Sequence, residues 1–197
     1  MKISLIYPLL SKARSRVDEN KQYWPPLGLA YIAAALRENG HAVQILDRDL
    51  ILRKNKIDFD KTDELTLNFI KAFAAEIVGF SATTPNVSDV NAFSEKVKKS
   101  SPEIMTVIGG PHCAGEPVTT LQMCSGIDAL VRGEGEMAML DIANDLPFKF
   151  IASLNYRKPD GSIASNPDRP LIESLDSLPF PARDLLDMGY YTRPSRF

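Results

Sequence analysis

Ile3-Ser4-Leu5-Ile6-Tyr7 is followed by seventeen residues, Pro8 to Trp24, and then by Pro25-Pro26-Leu27-Gly28-Leu29-Ala30. The first run is apolar but for Ser4, as befits a strand covered on both faces. The second opens a helix over about Pro26 to Asn39, with proline at its start, where the missing N–H costs nothing, and Gly40 where a left-handed cap belongs. Leu27, Leu29, Ala30, Ile32, Ala33, Ala34 and Leu36 spread around most of that cylinder, so it is buried on more than one side. Strand-to-helix connections in α/β units usually take about two to six residues. A longer one has a task besides connection, and this one lies where the carboxyl end of a parallel strand opens onto the ligand crevice of a doubly wound sheet.

Outward from this unit the rhythm repeats. Ala42 to Leu46 reads as strand two, ended by Asp47. A charged stretch follows, from Arg48 to Lys61, and then a helix over about Thr62 to Phe73 started by Thr62 or Asp63. Strand three is Glu76 to Phe80, and the helix over about Val87 to Ser100 carries Val90, Phe93 and Val97 at helical spacing. Ile104 to Ile108 is strand four, a short helix covers about Pro117 to Cys124, and Ile127 to Val131 is strand five ahead of a helix over about Glu136 to Asp145. Right-handed crossovers then place helices on both faces of a five-stranded parallel sheet. After Pro147 the pattern changes: Phe148 to Arg157 and Ser162 to Ser165 flank Lys158-Pro159-Asp160-Gly161, the turn of a β-hairpin. The proline-rich remainder reads as an extended connector. The expected division is an α/β domain over residues 1–146 and a hairpin with linker over residues 147–197.

Composition removes several function classes. Lys and Arg number 23 against 25 Asp and Glu, a net charge of -2, which gives no electrostatic case for nucleic acid or for an anionic membrane. No apolar run reaches the roughly 18 residues of a membrane span, and Met1-Lys2 leads straight into a strand, so the expected location is the cytoplasm. Cys113 and Cys124 match no metal or thioredoxin-like spacing and read as reduced thiols without chemistry.

The residues able to meet a ligand cluster at strand carboxyl ends. Ser81, Thr83 and Thr84 offer hydroxyls that hydrogen-bond without adding charge, or that cap the following helix. Gly109-Gly110 lets a ligand approach the backbone closely, or makes a tight turn. Gly133 and Gly135 pose the same choice, and the neighbouring carboxylates of Glu134 and Glu136 weaken any phosphate cradle there, which favours a structural or interface role.

In this order, Pro-Pro-Leu-Gly-Leu-Ala at the first helix, Gly-Phe-Ser-Ala-Thr-Thr after strand three, Gly-Gly-Pro-His after strand four and Gly-Glu-Gly-Glu after strand five resemble the cobalamin-binding domain of cobalamin-dependent radical S-adenosylmethionine enzymes. The tail Leu175-Asp176-Ser177-Leu178-Pro179-Phe180-Pro181-Ala182-Arg183-Asp184 is similar to the segment that leads into the catalytic barrel of that family. The resemblance implies a flavodoxin-like fold holding cobalamin at the carboxyl edge of the sheet, its nucleotide tail running down a slot lined by Ser81, Thr83, Thr84, Gly109 and Gly110. It implies that the long first loop faces the corrin ring, with Tyr23 and Trp24 as apolar contacts. The other positions it marks for cofactor contact are Pro26, Leu27 and Gly28 at the first helix, Pro111 and His112 after strand four, and Gly133 and Glu134 after strand five.

Two departures refine the expectation. Methionine-synthase-like corrinoid proteins carry Asp-x-His-x-x-Gly after strand one, whose histidine ligates cobalt; neither His41 nor His112 has that setting, so no protein residue is expected on the metal. The radical enzymes bind a [4Fe-4S] cluster through Cys-x-x-x-Cys-x-x-Cys, and no cysteine lies beyond Cys124. The chain thus reads as an amino-terminal fragment, inactive alone. The cluster, S-adenosylmethionine and the radical SAM barrel belong to an absent carboxyl-terminal domain. A free-standing corrinoid or other small-ligand module is the alternative. The segment from about Asp168 to Phe197, apolar among its prolines, reads as a docking strap whose partner is absent: it either lies back on the α/β domain, ordered as far as its apolar groups can be buried, or stays free with an exposed apolar patch.

Overall fold

A computed structural model describes residues 1–10 and 24–192. Tyr23 and most of the long first loop lie outside the described residues, as does the chain beyond Thr192. Seven strands form one sheet in the order β2 (Ala42–Asp47), β1 (Lys2–Tyr7), β3 (Ile77–Ser81), β4 (Met105–Gly109), β5 (Ala129–Val131), β6 (Leu154–Arg157) and β7 (Ile163–Ser165). The first five in this order run parallel, and the hairpin β6–β7 continues the same sheet antiparallel to β5. This is the doubly wound, flavodoxin-like arrangement expected from the alternating runs. The strand order reverses between β1 and β3, where such sheets open a crevice.

Two helices cover one face, α1 (Leu27–Glu38) and α7 (Glu136–Ala143), closing over Leu5, Ile77, Val107 and Val131. The other face is covered by α3 (Phe59–Phe73), α4 (Val87–Ser100) and the short α5 (Pro111–Gly115) and α6 (Pro117–Met123), packed on Ile6, Val78, Phe80, Ile108 and Leu130.

The charged stretch after β2 holds a helix that its composition conceals. Asp47 ends β2 and caps α2 (Arg48–Asn55), its carboxylate accepting from Leu50 N at 3.0 Å. Arg48 is only 1% exposed, ion-paired with Asp63 of α3 and Asp89 of α4 and lying 3.8 Å from the centroid of the Phe93 ring. The helix α3 starts at Phe59 rather than Thr62, because Asp58 caps it by accepting from Lys61 N at 2.8 Å; Thr62 and Asp63 lie inside its first turns.

The carboxyl-terminal segment straps back by polar latches. Arg132 holds Asp168 at 2.6 Å, the Glu134 carboxylate accepts from Ile172 N at 3.0 Å, and Ala182 N donates to Ala30 O of α1 at 3.0 Å. Arg37 pairs with Asp184, Lys54 with Asp187, and the buried Tyr191 of α8 (Met188–Tyr191) donates its hydroxyl to Asp47 at 2.5 Å. Ala182, Leu185 and Tyr191 are taken into the core, whereas Leu171, Leu175 and Phe180 stand in solvent, Phe180 at 94% exposure. Apolar burial therefore secures only part of the strap, and hydrogen bonds and ion pairs secure the rest.

Candidate functional site

The site is built by register. Leu5, Gly79 and Val107 sit side by side on β1, β3 and β4, with Ala129 of β5 beyond them. Two residues nearer the carboxyl edge, on the same face, Ser81 sits beside Gly109. Strand side chains alternate, so the two glycines leave gaps on one face at successive levels of neighbouring strands. At the Gly79 level the side chains of Leu5 and Met139 close over the glycine, and at the Gly109 level the face is open, so the cleft is floored at Gly79 and opens beside Gly109.

Leu29 and Ile32 of α1 and Met139 of α7 form the opposite wall. The result is a cleft of about 240 Å³, open at the strand carboxyl ends, whose rim is Gly28, Gly109, Gly110, Pro111 and the segment Gly133–Glu136. A Cβ on Gly79 would lie 3.0 Å from Leu5 Cδ2 and 3.5 Å from Met139 Cε. A Cβ on Gly109 would meet nothing closer than Val131 O at 3.8 Å, so that position has room for a side chain and leaves it empty.

The neighbouring Gly110 is glycine for another reason. Its φ is +99°, and a Cβ there would strike Ala82 O at 2.7 Å and Ala82 N at 2.9 Å. Its hydrogen faces the β3 loop, so a branched residue at 110 breaks the turn instead of blocking a slot. Gly135 is a packing position: its Cβ would fall 2.9 Å from Ile32 Cδ1, where α7 starts against α1.

Of the positions marked from sequence, Gly28, Ser81, Gly109, Gly110, Pro111, Gly133 and Glu134 line the cleft. Trp24 lies before α1 and is 77% exposed, Pro26 is the buried residue preceding that helix, and Leu27 is part-exposed in its first turn. Thr83 donates its backbone N–H to Asn86 Oδ1 at 2.7 Å, in the turn that leads into α4. The Thr84 hydroxyl is 3.2 Å from His112 Nδ1, and the Thr120 hydroxyl is 3.2 Å from His112 Nε2. Because Thr120 already donates to Glu116 O at 2.6 Å, His112 Nε2–H donates to Thr120 and Nδ1 accepts from Thr84. Both ring nitrogens are thereby engaged.

His41 is at the far end of the sheet, 3.1 Å from the amino terminus and 3.1 Å from Asn144 Oδ1. Neither histidine lines the cleft. Among the described residues no cluster of three His, Cys, Asp or Glu could hold a metal ion. Cys113 and Cys124 are buried outside the cleft, and burial pushes the Cys113 thiol up to about 12, which leaves it protonated. No described helix is long and apolar enough to cross a membrane.

The residues that shape the depth of the cleft, Leu5, Gly79, Val107 and Met139, were not among those marked from sequence. A readable signal existed at Gly79, a lone glycine inside an apolar strand run, which marks a close approach to the backbone.

Among the described residues the slot has apolar walls, one hydroxyl, from Ser81, and an empty position beside Gly109, with the Glu134 and Glu136 carboxylates at its rim. The protein is 37% identical over 195 residues to the uncharacterized methyltransferase PH0819 of Pyrococcus horikoshii, covering 97% of this chain and 40% of that protein. It is 30% identical over 185 residues to the anaerobic magnesium-protoporphyrin IX monomethyl ester cyclase of Rubrivivax gelatinosus, covering 90% of this chain and 32% of that one. The chain therefore spans well under half the length of these relatives.

Among solved structures, the cobalamin-dependent S-adenosylmethionine radical enzyme OxsB with aqua-cobalamin and S-adenosylmethionine bound superposes with a TM-score of 0.71 at 14% identity. That match covers 94% of this chain and 24% of OxsB, and it shows a shared fold. The profile of the B12 binding domain matches residues 14–143. The chain belongs to the B12-binding domain family.

Proposed function

We propose that the cleft receives the nucleotide tail of cobalamin with its dimethylbenzimidazole base detached from cobalt, and that no side chain of this protein replaces that base on the metal. The observation that carries this reading is the cleft that is floored at Gly79 and left open beside Gly109 at the carboxyl edge of the sheet. Leu5, Val107, Met139, Leu29 and Ile32 would enclose the base and exclude water, Ser81 would hydrogen-bond it, and the rim from Gly109 to Pro111 would let the tail pass close to the backbone. Gly133 and Glu134 shape the rim, Glu134 while holding the strap. The engagement of both nitrogens of His112 and the remoteness of His41 favour a cobalt without a protein ligand.

When bound, cobalamin supplies a cobalt able to carry a methyl group or to assist radical chemistry. We place that chemistry in a longer cytoplasmic enzyme, in which residues 1–146 hold the cofactor and residues 147–197 lead toward a radical SAM barrel with its [4Fe-4S] cluster and S-adenosylmethionine. The similarity to relatives more than twice this length supports that setting.

Electron paramagnetic resonance of the Co(II) form bound to the purified chain tests the reading. A base-off spectrum without nitrogen superhyperfine splitting is expected. Splitting from an axial nitrogen, or no binding of cobalamin at all, would contradict it.

A further inference from the structure

The polar inventory of the cleft separates by depth. At the lower level, Leu5, Gly79 and Val107 have their backbone groups in the parallel ladder, and Met139 faces them from α7. None of these four offers a hydrogen-bonding side chain. At the upper level Ser81 carries the one hydroxyl among the described residues of the wall. The carboxylates of Glu134 and Glu136 belong to the amino-terminal end of α7, about one turn above Met139, and Glu134 already accepts from Ile172 N at 3.0 Å. Among the described residues, the side chains that a group descending past Ser81 would meet offer carbon and sulfur only.

Building on the tail-in-cleft reading above, we infer that this cleft selects among cobamides by their lower base, accepting a benzimidazole or a phenol and discriminating against a purine. A detached benzimidazole has one free ring nitrogen, an acceptor, and Ser81 supplies one hydroxyl donor. Its remaining surface is apolar and matches the walls. A phenolyl base has no ring nitrogen to satisfy. Adenine brings an exocyclic amine and further ring nitrogens, and only one of these polar atoms can reach Ser81. Each polar group buried without a partner loses its hydration uncompensated, and at least one such group must lower affinity about tenfold or more.

The test is a titration of the 197-residue chain with four corrinoids: cobalamin, a phenolyl cobamide, an adeninyl cobamide, and cobinamide, which has no nucleotide tail. Cobalamin and the phenolyl cobamide should bind with similar affinity, the adeninyl cobamide at least about tenfold more weakly, and cobinamide weakly. Adeninyl cobamide binding as tightly as cobalamin, with cobinamide weak, would overturn the selectivity and leave the tail in its cleft. Cobinamide binding as tightly as cobalamin, or no corrinoid binding, would overturn the tail reading and the selectivity together. The variant Ser81→Ala adds a second readout. It should weaken cobalamin about fivefold and leave the phenolyl cobamide unchanged, and an equal loss for both would show that Ser81 does not answer the ring nitrogen.

Discussion

Adjacent residues of the same four strands build opposite structures on the two faces of the sheet. On one face the row Ile6, Phe80, Ile108 and Leu130 is large at every position; on the other the next row, Leu5, Gly79, Val107 and Ala129, contains a glycine and an alanine. The first is closed by α3, α4 and α6, with Phe93 meeting Phe80 edge to face at 6.3 Å and Arg48 stacked beyond it. The second leaves a cleft beneath α1 and α7. Both faces carry a buried core, and the second gives up packing beside Gly109 to make room. The difference lies in single side chains and not in the path of the backbone.

The largest effect that would break this contrast is on the closed face. Arg48→Ala leaves Asp63 and Asp89 without their buried cation, and removing one partner of such a group costs about 3–5 kcal/mol. Denaturant unfolding should show that loss. A change within experimental error would mean that the closed face does not depend on its ionic centre.

Next comes Gly110→Ala, which forces a side chain into a glycine-only backbone region and against Ala82, at a cost of about 2–4 kcal/mol. Its unfolding midpoint should fall whether or not cobalamin is present. An unchanged midpoint with weakened cobalamin binding would return Gly110 to the slot.

The strap supplies smaller effects. Tyr191→Phe removes the hydroxyl that reaches Asp47 and should cost about 1 kcal/mol, with faster proteolysis after Arg183. Unaltered stability and cleavage would show that the latch is not closed in solution.

Burial raises the Asp47 carboxyl above its ordinary value, against the opposing hydrogen bonds from Tyr191 and Leu50 N. A folded-state pKa above the unfolded one means that the folded form holds more protons across the window between them. Stability falls as pH rises through that window, and the penalty is complete above it. Asp47→Asn should therefore gain stability relative to the parent at pH 7, and that gain should shrink as the pH falls toward the ordinary carboxylate range. A stability difference independent of pH would show that burial does not raise the Asp47 carboxyl.

The sequence made the alternation of strands and helices legible because β1, β3 and β4 are largely apolar runs, because proline and glycine bracket α1, and because α4 carries its apolar residues at helical spacing. It concealed α2, since Arg48 looks like a surface charge until its partners, Asp63 on α3 and Asp89 on α4, arrive from far along the chain. It marked most of the cleft rim, because glycines and hydroxyls at strand ends stand out singly. It did not mark the depth of the cleft, which exists only when Gly79 and Gly109 are brought to neighbouring levels by the pairing of β3 with β4. Nor could it separate Gly109 from Gly110, whose opposite duties follow from a backbone angle. Thr83 and Thr84 were marked for their hydroxyls, and the structure engages them locally, Thr83 in the turn before α4 and Thr84 on His112.

Gly109→Val tests the central claim most directly, because Gly109 has space for a Cβ and its side chain would project into the cleft. The account predicts a folded protein, within about 1 kcal/mol of the parent, whose cobalamin affinity falls by at least about a hundredfold in an absorbance titration. A folded Gly109→Val variant that binds cobalamin as tightly as the parent would contradict the account, since the open face would then not be where the tail goes.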